Sequence, residues 1–207
     1  MAVLSVANLH EHGDLFVKYL KLRREIFIQG KQWALPEADG MEFDQYDTPQ
    51  CRWVLLHEGG EILASVRIAP TTARCGLHSY MIRDAQLGQL SDLPLDLMYF
   101  AAPVGEQVWE GTRLFLSPDV PTSRRPLVHR RLLKALGDAA VGVGAKLVIA
   151  LLPIMLIRWM NRVGMTATGV GPELEIAGDK VQCALIDTRV LQTACSTPTK
   201  NVRRAGL

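Results

Sequence analysis

Charged side chains sit where their neighbours are apolar in four segments of this chain. The first is the stretch around Phe16, Tyr19, Leu20, Arg23 and Phe27. At about 100° per residue, all four of the others project within roughly 60° of Phe16, so Arg23 shares the apolar face of a helix. A buried guanidinium requires a carboxylate, because removing one member of such a pair costs about 3–5 kcal/mol. An arginine that snorkels past the helix edge, or a purely structural ion pair, is the alternative. The second segment is Met41-Glu42-Phe43-Asp44-Gln45-Tyr46-Asp47, in which carboxylates alternate with apolar and aromatic residues. If Phe43 and Tyr46 pack down, Asp44 and Asp47 are delivered to something positive; otherwise the segment is a surface turn. The third is Ile62-Leu63-Ala64-Ser65-Val66-Arg67-Ile68, where Arg67 and Ser65 lie on the strand face opposite Ile62, Ala64, Val66 and Ile68. The fourth is Val108-Trp109-Glu110-Gly111-Thr112-Arg113-Leu114-Phe115-Leu116. Glu110 and Arg113 would face opposite ways in a regular strand, and Gly111 is the natural place for a bulge that re-aims one of them.

Arg23, Arg67 and Arg113 thus stand against Asp44, Asp47 and Glu110. Such a set either satisfies itself or binds a zwitterion, carboxylate to arginine and ammonium to aspartate or glutamate. An amino-acid derivative fits that description.

A second concentration of charge begins at Ser123-Arg124-Arg125-Pro126 and continues through His129, Arg130, Arg131 and Lys134. Cations at a helix N-terminus oppose the macrodipole. They are favourable where an anion docks, which here means the pyrophosphate of coenzyme A or an acidic acyl carrier protein. A solvated basic face is the alternative. No G-x-G-x-x-G or P-loop precedes this helix, which argues against nucleotide-phosphate transfer.

The elements that must position these residues follow from periodicity. Val3 to Val6 reads as an edge strand, residues 11–28 as a helix, and 29–50 as a long loop. Strands near Cys51–His57 and Glu61–Ala69 are joined by the turn Glu58-Gly59-Gly60. Residues 71–106 are irregular, with a short helix near Tyr80–Ala85. A strand over Gln107–Leu116 precedes an amphipathic helix, Ser123–Val143, with Ser123 as N-cap. Lys146–Leu151 is a buried strand and Ile154–Arg162 a helix ended by Gly164. Short strands near Met165–Val170 and Val181–Asp187 finish a single domain over residues 1–190. From Val190 the chain is polar, Thr-rich and basic, the composition of a disordered tail through residue 207. The order implies an α/β (α+β) fold, a mixed sheet with helices on both faces.

Composition sets limits. With 48% hydrophobic and 21% charged residues and a net charge of +2, the chain is an ordinary globular protein with no field suited to nucleic acid or a membrane surface. Cys51, Cys75, Cys183 and Cys195 form no C-x-x-C pair and no zinc spacing, so reduced thiols and no metal are expected. The longest apolar run, Leu147–Ile157, contains Pro153 and falls short of the roughly 20 residues of a span. No signal peptide is visible at the start, and a cytoplasmic location is expected.

Several segments resemble the acyl-homoserine-lactone synthases of the LuxI type: Leu22-Arg23-Arg24-Glu25-Ile26-Phe27, Trp33, Glu42-Phe43-Asp44-Gln45-Tyr46-Asp47, Ser65-Val66-Arg67-Ile68 with Pro70-Thr71-Thr72, and Trp109-Glu110-Gly111-Thr112-Arg113-Leu114. Order and spacing agree, strongly over residues 15–72 and 107–118 and more weakly to about 170. The resemblance implies a GNAT-like sheet, mainly antiparallel with one splayed parallel pair. It implies that an acyl thioester, acyl-ACP or acyl-CoA, acylates the amine of S-adenosylmethionine, which then lactonises and releases methylthioadenosine. No permanent cofactor is required. The family's charged positions fall on Arg23, Asp44, Asp47, Arg67, Glu110 and Arg113, with Glu110 as base, and Asp44 and Asp47 holding an N-terminal lid to Arg23. Phe27, Trp33 and Arg67 would bind S-adenosylmethionine. Arg124, Arg125, Arg130, Arg131 and Lys134 would dock the acyl carrier or CoA. The chain departs from the family in having Gly111 where serine is frequent, in the stretch Arg74 to Gln107, and at Ala150. Many 3-oxo-acyl producers carry a hydroxyl at that last position, and its absence favours an unsubstituted or unusual acyl group. An N-acyltransferase for another amine, or a non-catalytic relative that binds acyl carrier protein, are the competing readings.

Overall fold

The computed structural model describes residues 1–194. Its centre is one eight-stranded sheet. The strands are β1 (Ala2–Leu4), β4 (Arg52–Glu58), β5 (Glu61–Pro70), β6 (Val108–Leu116), β7 (Leu147–Pro153), β8 (Ala167–Gly169), β9 (Leu174–Ile176) and β10 (Asp179–Asp187). They run in the order β1-β4-β5-β6-β7-β10-β8, with β9 also on β10. A separate ribbon pairs β2 (Glu37–Ala38) with β3 (Met41–Glu42) inside the expected long loop. Every pairing is antiparallel except β6 with β7. The β4–β5 hairpin turns where anticipated: Gly59 and Gly60 have φ of 57° and 86°, the left-handed conformation that a two-residue turn demands.

The parallel pair is splayed. Its register runs from Val108↔Leu147 to Gly111↔Ala150 and stops, although the two strands continue to Leu116 and Pro153. A V-shaped opening results. A bulge reshapes the other edge of β6: Ser65 pairs with Phe115 and Arg67 with Thr112, two steps along β5 against three along β6. The irregular residue is Arg113, at φ 52°, and not Gly111 as the sequence suggests. Gly111 stays in register between Ile68 and Ala150. Its role is close packing, since a Cβ there would meet Val148 Cγ1 at 3.2 Å.

Helices cover both faces. α3 (Arg125–Gly142), α4 (Ile154–Arg162) and α5 (Thr188–Ala194) share one core with β4 to β7, through Val128, Leu132, Leu136, Ile157, Met160 and Leu191. α1 (Leu15–Arg23) lies on the opposite face, where Tyr19 and Leu20 pack with Trp53, Leu55 and Phe115. α2 (Met81–Gln86) builds a third cluster with Ile82, Ala85, Leu97 and Ile149. Three local expectations change. The first helix is interrupted: a 3₁₀ turn at Leu9–Glu11 precedes α1, and Arg24–Gly30 widens into a π-helical stretch. α3 starts one turn after Pro121 with Arg124 in the cap position, and Ser123 provides no side-chain cap. The polar stretch from Val190 is helical as far as Ala194, with Leu191 fully buried. Residues 195–207, including Cys195, lie outside the described residues. Among the described residues no helix is long and apolar enough to cross a membrane.

Candidate active site

α1, the β3 segment, β5 and β6 each contribute a charge to one closed ring. Arg23 Nε contacts Glu42 Oε2 at 2.5 Å, and Glu42 Oε1 meets Arg113 Nη2 at 2.9 Å. Arg113 Nη2 reaches Asp44 Oδ2 at 2.7 Å, and Asp44 Oδ1 holds Arg67 Nη1 at 2.6 Å. Arg67 Nη1 lies 2.8 Å from Asp47 Oδ2, and Asp47 Oδ1 returns to Arg23 Nη1 at 2.8 Å. Charges alternate around the ring, so each guanidinium has two carboxylates and each carboxylate two guanidiniums. Exposure of the six side chains ranges from 0% to 8%, which makes this pairing obligatory rather than decorative.

Local chemistry locks the members in place. Trp53 Nε1 donates to Asp47 at 3.0 Å, and the backbone N–H groups of Asp44 and Tyr46 donate to Asp47 and Asp44 at 3.0 and 2.9 Å. Arg67 Nε donates to Thr112 Oγ1 at 2.9 Å. The bulge explains how Thr112 and Arg113, consecutive in sequence, both face this side of the sheet. Burial alone would raise the pKa of Asp44, but Arg67 and Arg113 outweigh it and hold the carboxyl below its ordinary range. Asp47 is likewise held well below it, by Arg67 and Arg23 against the opposing effect of burial.

The third carboxylate of the ring is Glu42, where the sequence had placed Glu110. Glu42 belongs to the same alternating segment as Asp44, so the pattern held the signal for it; strand pairing in the small β2–β3 ribbon aims it inward with full burial. Asp44 also departs from expectation, bonding Arg67 and Arg113 while Asp47 and Glu42 hold Arg23. Glu110 sits elsewhere. Its two oxygens accept the backbone N–H groups of Met81 at 3.0 Å and Ile82 at 2.9 Å, filling the uncapped N-terminus of α2. Burial pushes its pKa up to about 7, with the Ile82 and Met81 amides partly offsetting the rise. It forms no ion pair with the three arginines among the described residues.

One wall of a cavity of about 580 Å³ is made by Asp44, Thr112 and Arg113 of this assembly. The cavity occupies the V between β6 and β7, reaching Gly111, Leu114, Leu151 and Pro153. Phe27 and Trp33 line it as a stacked pair, with ring centroids 5.2 Å apart, and the Arg113 guanidinium lies 5.4 Å from the Phe27 ring. The π-helical stretch makes this stack possible, since Phe27 O accepts the backbone N–H of Trp33 at 3.0 Å. Trp33 Nε1 is buried with no hydrogen-bond partner among the described residues. Met81, Leu90, Leu93, Ile176 and Val181 make the apolar end. Lys31 and Asp179 form an ion pair between the π-helical stretch's end and the β9–β10 turn, and both line the cavity.

The basic residues of α3 lie on the other face of the sheet. Arg124 bonds Glu58 at 2.7 Å, Lys134 bonds Asp138 at 2.6 Å, and Arg125 donates to the carbonyl of Val120 at 3.1 Å. Arg131 is exposed and lines a second groove with His57, Glu58 and Lys134, and Arg130 is half-buried. Among the described residues, Arg124 and Lys134 form their ion pairs with Glu58 and Asp138 and not with the ring. β6 leads directly into α3, so the helix N-terminus stands at the same end of the sheet as the open V.

Known proteins share this chain's sequence pattern and fold. A family model described as autoinducer synthase matches residues 7–190. The chain is 29% identical over 170 residues to an acyl-homoserine-lactone synthase of Ralstonia solanacearum, covering 80% of this chain and 78% of that protein. The crystal structure of TofI in a ternary complex with an inhibitor and MTA superposes with a TM-score of 0.72 at 25% identity, over 92% of this chain and 95% of that one. The fold also matches that of the CoA-dependent acyl-homoserine lactone synthase BjaI with SAM and isopentyl-CoA, with a TM-score of 0.73 at 21% identity over 95% and 89% of the two chains. The fold is that of acyl-homoserine-lactone synthases, and the chain belongs to the autoinducer synthase family.

Proposed function

We propose that this protein is an N-acyl-L-homoserine lactone synthase, making a quorum-sensing signal in the cytoplasm from S-adenosylmethionine and an acyl thioester. The observation that carries the reading is the junction of the closed ion ring, the Phe27–Trp33 stack and an apolar cavity within the β6–β7 splay. Arg113 and Asp44 offer a zwitterion both of the charges it needs at the cavity wall. The aromatic stack suits a sulfonium and adenine, and the unpartnered Trp33 N–H adds a donor. Met81, Leu90, Leu93 and Ile176 suit an acyl chain.

The amine attacks the thioester carbonyl, and the carboxylate then attacks its own γ-carbon and expels methylthioadenosine. An α-amine has a pKa of about 7.7–8.0, so freeing its lone pair near pH 7 costs only about 1 kcal/mol. Positioning of the two substrates in one cavity therefore supplies more of the acceleration than proton abstraction does. Glu110 contributes by fixing the first turn of α2 and with it Met81 in the cavity wall. The basic end of α3, at the open side of the V, receives the anionic carrier of the acyl group, acyl carrier protein or CoA.

The test is incubation of the purified protein with S-adenosylmethionine and a panel of acyl-CoAs and acyl carrier proteins, with mass-spectrometric detection of methylthioadenosine. Acyl-dependent release supports the synthase reading and identifies the donor. Absence of release with every donor, from folded protein, removes it.

A further inference from the structure

Acylation of an ammonium group releases a proton into a cavity whose buried carboxylates are already paired with arginines. Glu110 and Asp84 are buried nearby and form no ion pair with an arginine among the described residues, and Glu110 is taken up by two amides of α2. We propose that Tyr46, Asp84 and His78 form the proton exit from the cavity, with Tyr46 as the residue that meets the substrate amine. The inference rests on the synthase reading above.

Tyr46 lines the cavity beside Asp44 and Gln45. Its hydroxyl donates to Asp84 Oδ2 at 2.9 Å, which leaves a phenolic lone pair to accept from a ligand. Asp84 is fully buried on α2. His78 Nδ1 lies 3.2 Å from the same Oδ2, and the His78 side chain is 35% exposed. Three groups that each take and give a hydrogen therefore connect the cavity to solvent without a gap. Asp84 also accepts the Ser79 N–H, at 2.9 Å on Oδ1 and 3.1 Å on Oδ2, as a carboxylate that merely secures a turn does. That duty needs neither a phenol nor an imidazole, and both are present on Oδ2.

The other charges facing this line are Arg67, 6.0 Å from the Tyr46 ring, and Glu110, whose charge disfavours a phenolate. Burial and the Asp84 bond hold the phenol far above its ordinary pKa, so Tyr46 hands a proton over without becoming an anion. The balance is as follows. The ammonium gives one hydrogen to Tyr46 Oη as the Tyr46 hydrogen passes to Asp84 Oδ2, then to His78 Nδ1, and His78 Nε2 loses one to water. The amine nitrogen bonds the carbonyl carbon, the C–S bond breaks, and the second nitrogen hydrogen ends on the thiolate. Lactone closure, with carboxylate oxygen displacing the thioether, releases no proton and makes no use of the path.

The experiment exploits that asymmetry. Wild-type protein with S-adenosylmethionine and acyl thioester must first release methylthioadenosine, and its failure to do so would sink the synthase reading, not the relay. With active enzyme, Tyr46→Phe and His78→Gln are assayed on that pair and on preformed N-acyl-S-adenosylmethionine, which enters at lactone closure. Tyr46→Phe should acylate about tenfold more slowly near pH 7, where only about one tenth of the amine is free. Its rate should recover about tenfold per pH unit up to the amine pKa of about 8, while lactone closure stays within about twofold of wild type. His78→Gln should be slowed in dilute buffer and restored by imidazole. Equal loss of both steps in Tyr46→Phe assigns the phenol a structural role and overturns the proposal, as does acylation at the wild-type rate. A His78→Gln enzyme that is unaffected, or slowed without rescue by imidazole, overturns the exit through His78.

Discussion

Arg23 and Asp47 form a two-pronged ion pair sealed from solvent, Nη1 donating to Oδ1 at 2.8 Å and Nη2 to Oδ2 at 3.0 Å. The Arg23 side chain is 0% exposed and that of Asp47 8%. Neither residue has water to fall back on when the other is removed. Asp47→Asn keeps the shape and one acceptor but leaves Arg23 with a single carboxylate, Glu42. Loss of about 3–5 kcal/mol is expected, read from the urea unfolding midpoint. Unchanged stability would mean that the ring tolerates a missing charge.

The acid limb of stability should follow the same ring. Asp44 and Asp47 are both held below their ordinary pKa by the arginines, against burial. Groups with a depressed folded pKa give stability that is present above the unfolded value, near pH 4, and lost as pH falls through the folded value. The unfolding midpoint should therefore drop steeply below about pH 4. A variant lacking either carboxylate should drop less steeply.

Glu110 predicts the opposite slope. Its folded pKa of about 7 stands above the ordinary 4.5. Unfolded chains lose this proton near 4.5 while the folded chain keeps it, so stability falls as pH rises from 4.5 and levels off above about 7. That gap corresponds to about 3 kcal/mol for a fully buried group. Glu110→Gln removes the titration and should flatten this part of the profile. Equal slopes for the two proteins between pH 5 and 7, by calorimetry, would remove Glu110 as its source.

How much of this was legible depends on the range over which each residue acts. Arg23 was visible because helical periodicity is local: its neighbours on the wheel announce burial. The β4–β5 hairpin was visible for a similar reason, its turn being local, whereas the splayed parallel pair came only from the resemblance to a known family. The pairing of charges was not, because Arg23 meets Glu42 across 19 residues and Arg113 meets it across 71. Glu110 and Arg113 were the hardest. Strand alternation decides which face a residue takes, and the bulge at Arg113 breaks alternation at the very position in question. Glycine drew attention to residue 111 through its freedom, whereas the structure uses its lack of a side chain. β9 escaped notice because three residues carry too little pattern.

That use of Gly111 can be tested in the strand. A Cβ at 3.2 Å from Val148 Cγ1 is tighter than packing normally allows, though the neighbour is a methyl group and not backbone. Gly111→Ala should cost about 1–3 kcal/mol by overpacking. Combining it with Val148→Ala, which vacates the contact, should give a double variant more stable than the sum of the two single losses. Strict additivity would show that the two side chains do not meet.

The last helix offers a case in which packing must overrule propensity. Gly137 lies inside α3, where replacing glycine by alanine ordinarily gains about 1 kcal/mol. Here a Cβ would stand 2.7 Å from Leu191 Cβ, 3.1 Å from Gln192 N and 3.2 Å from Thr188 O. Two of those three are backbone atoms of α5, so no rotamer change relieves the clash. α5 is pinned at its start, where Thr188 Oγ1 donates to the Ala145 carbonyl at 3.0 Å and Leu191 is 0% exposed. Gly137→Ala should therefore lower the melting temperature, and Leu191→Ala should cost about 2–5 kcal/mol. Once Leu191→Ala has loosened α5, adding Gly137→Ala should cost less than it does alone, because the helix it would displace is already weakened. A Gly137→Ala protein that melts higher than wild type would mean that α5 is not seated on α3 in solution, and that the polar stretch beyond Val190 carries no weight in the fold.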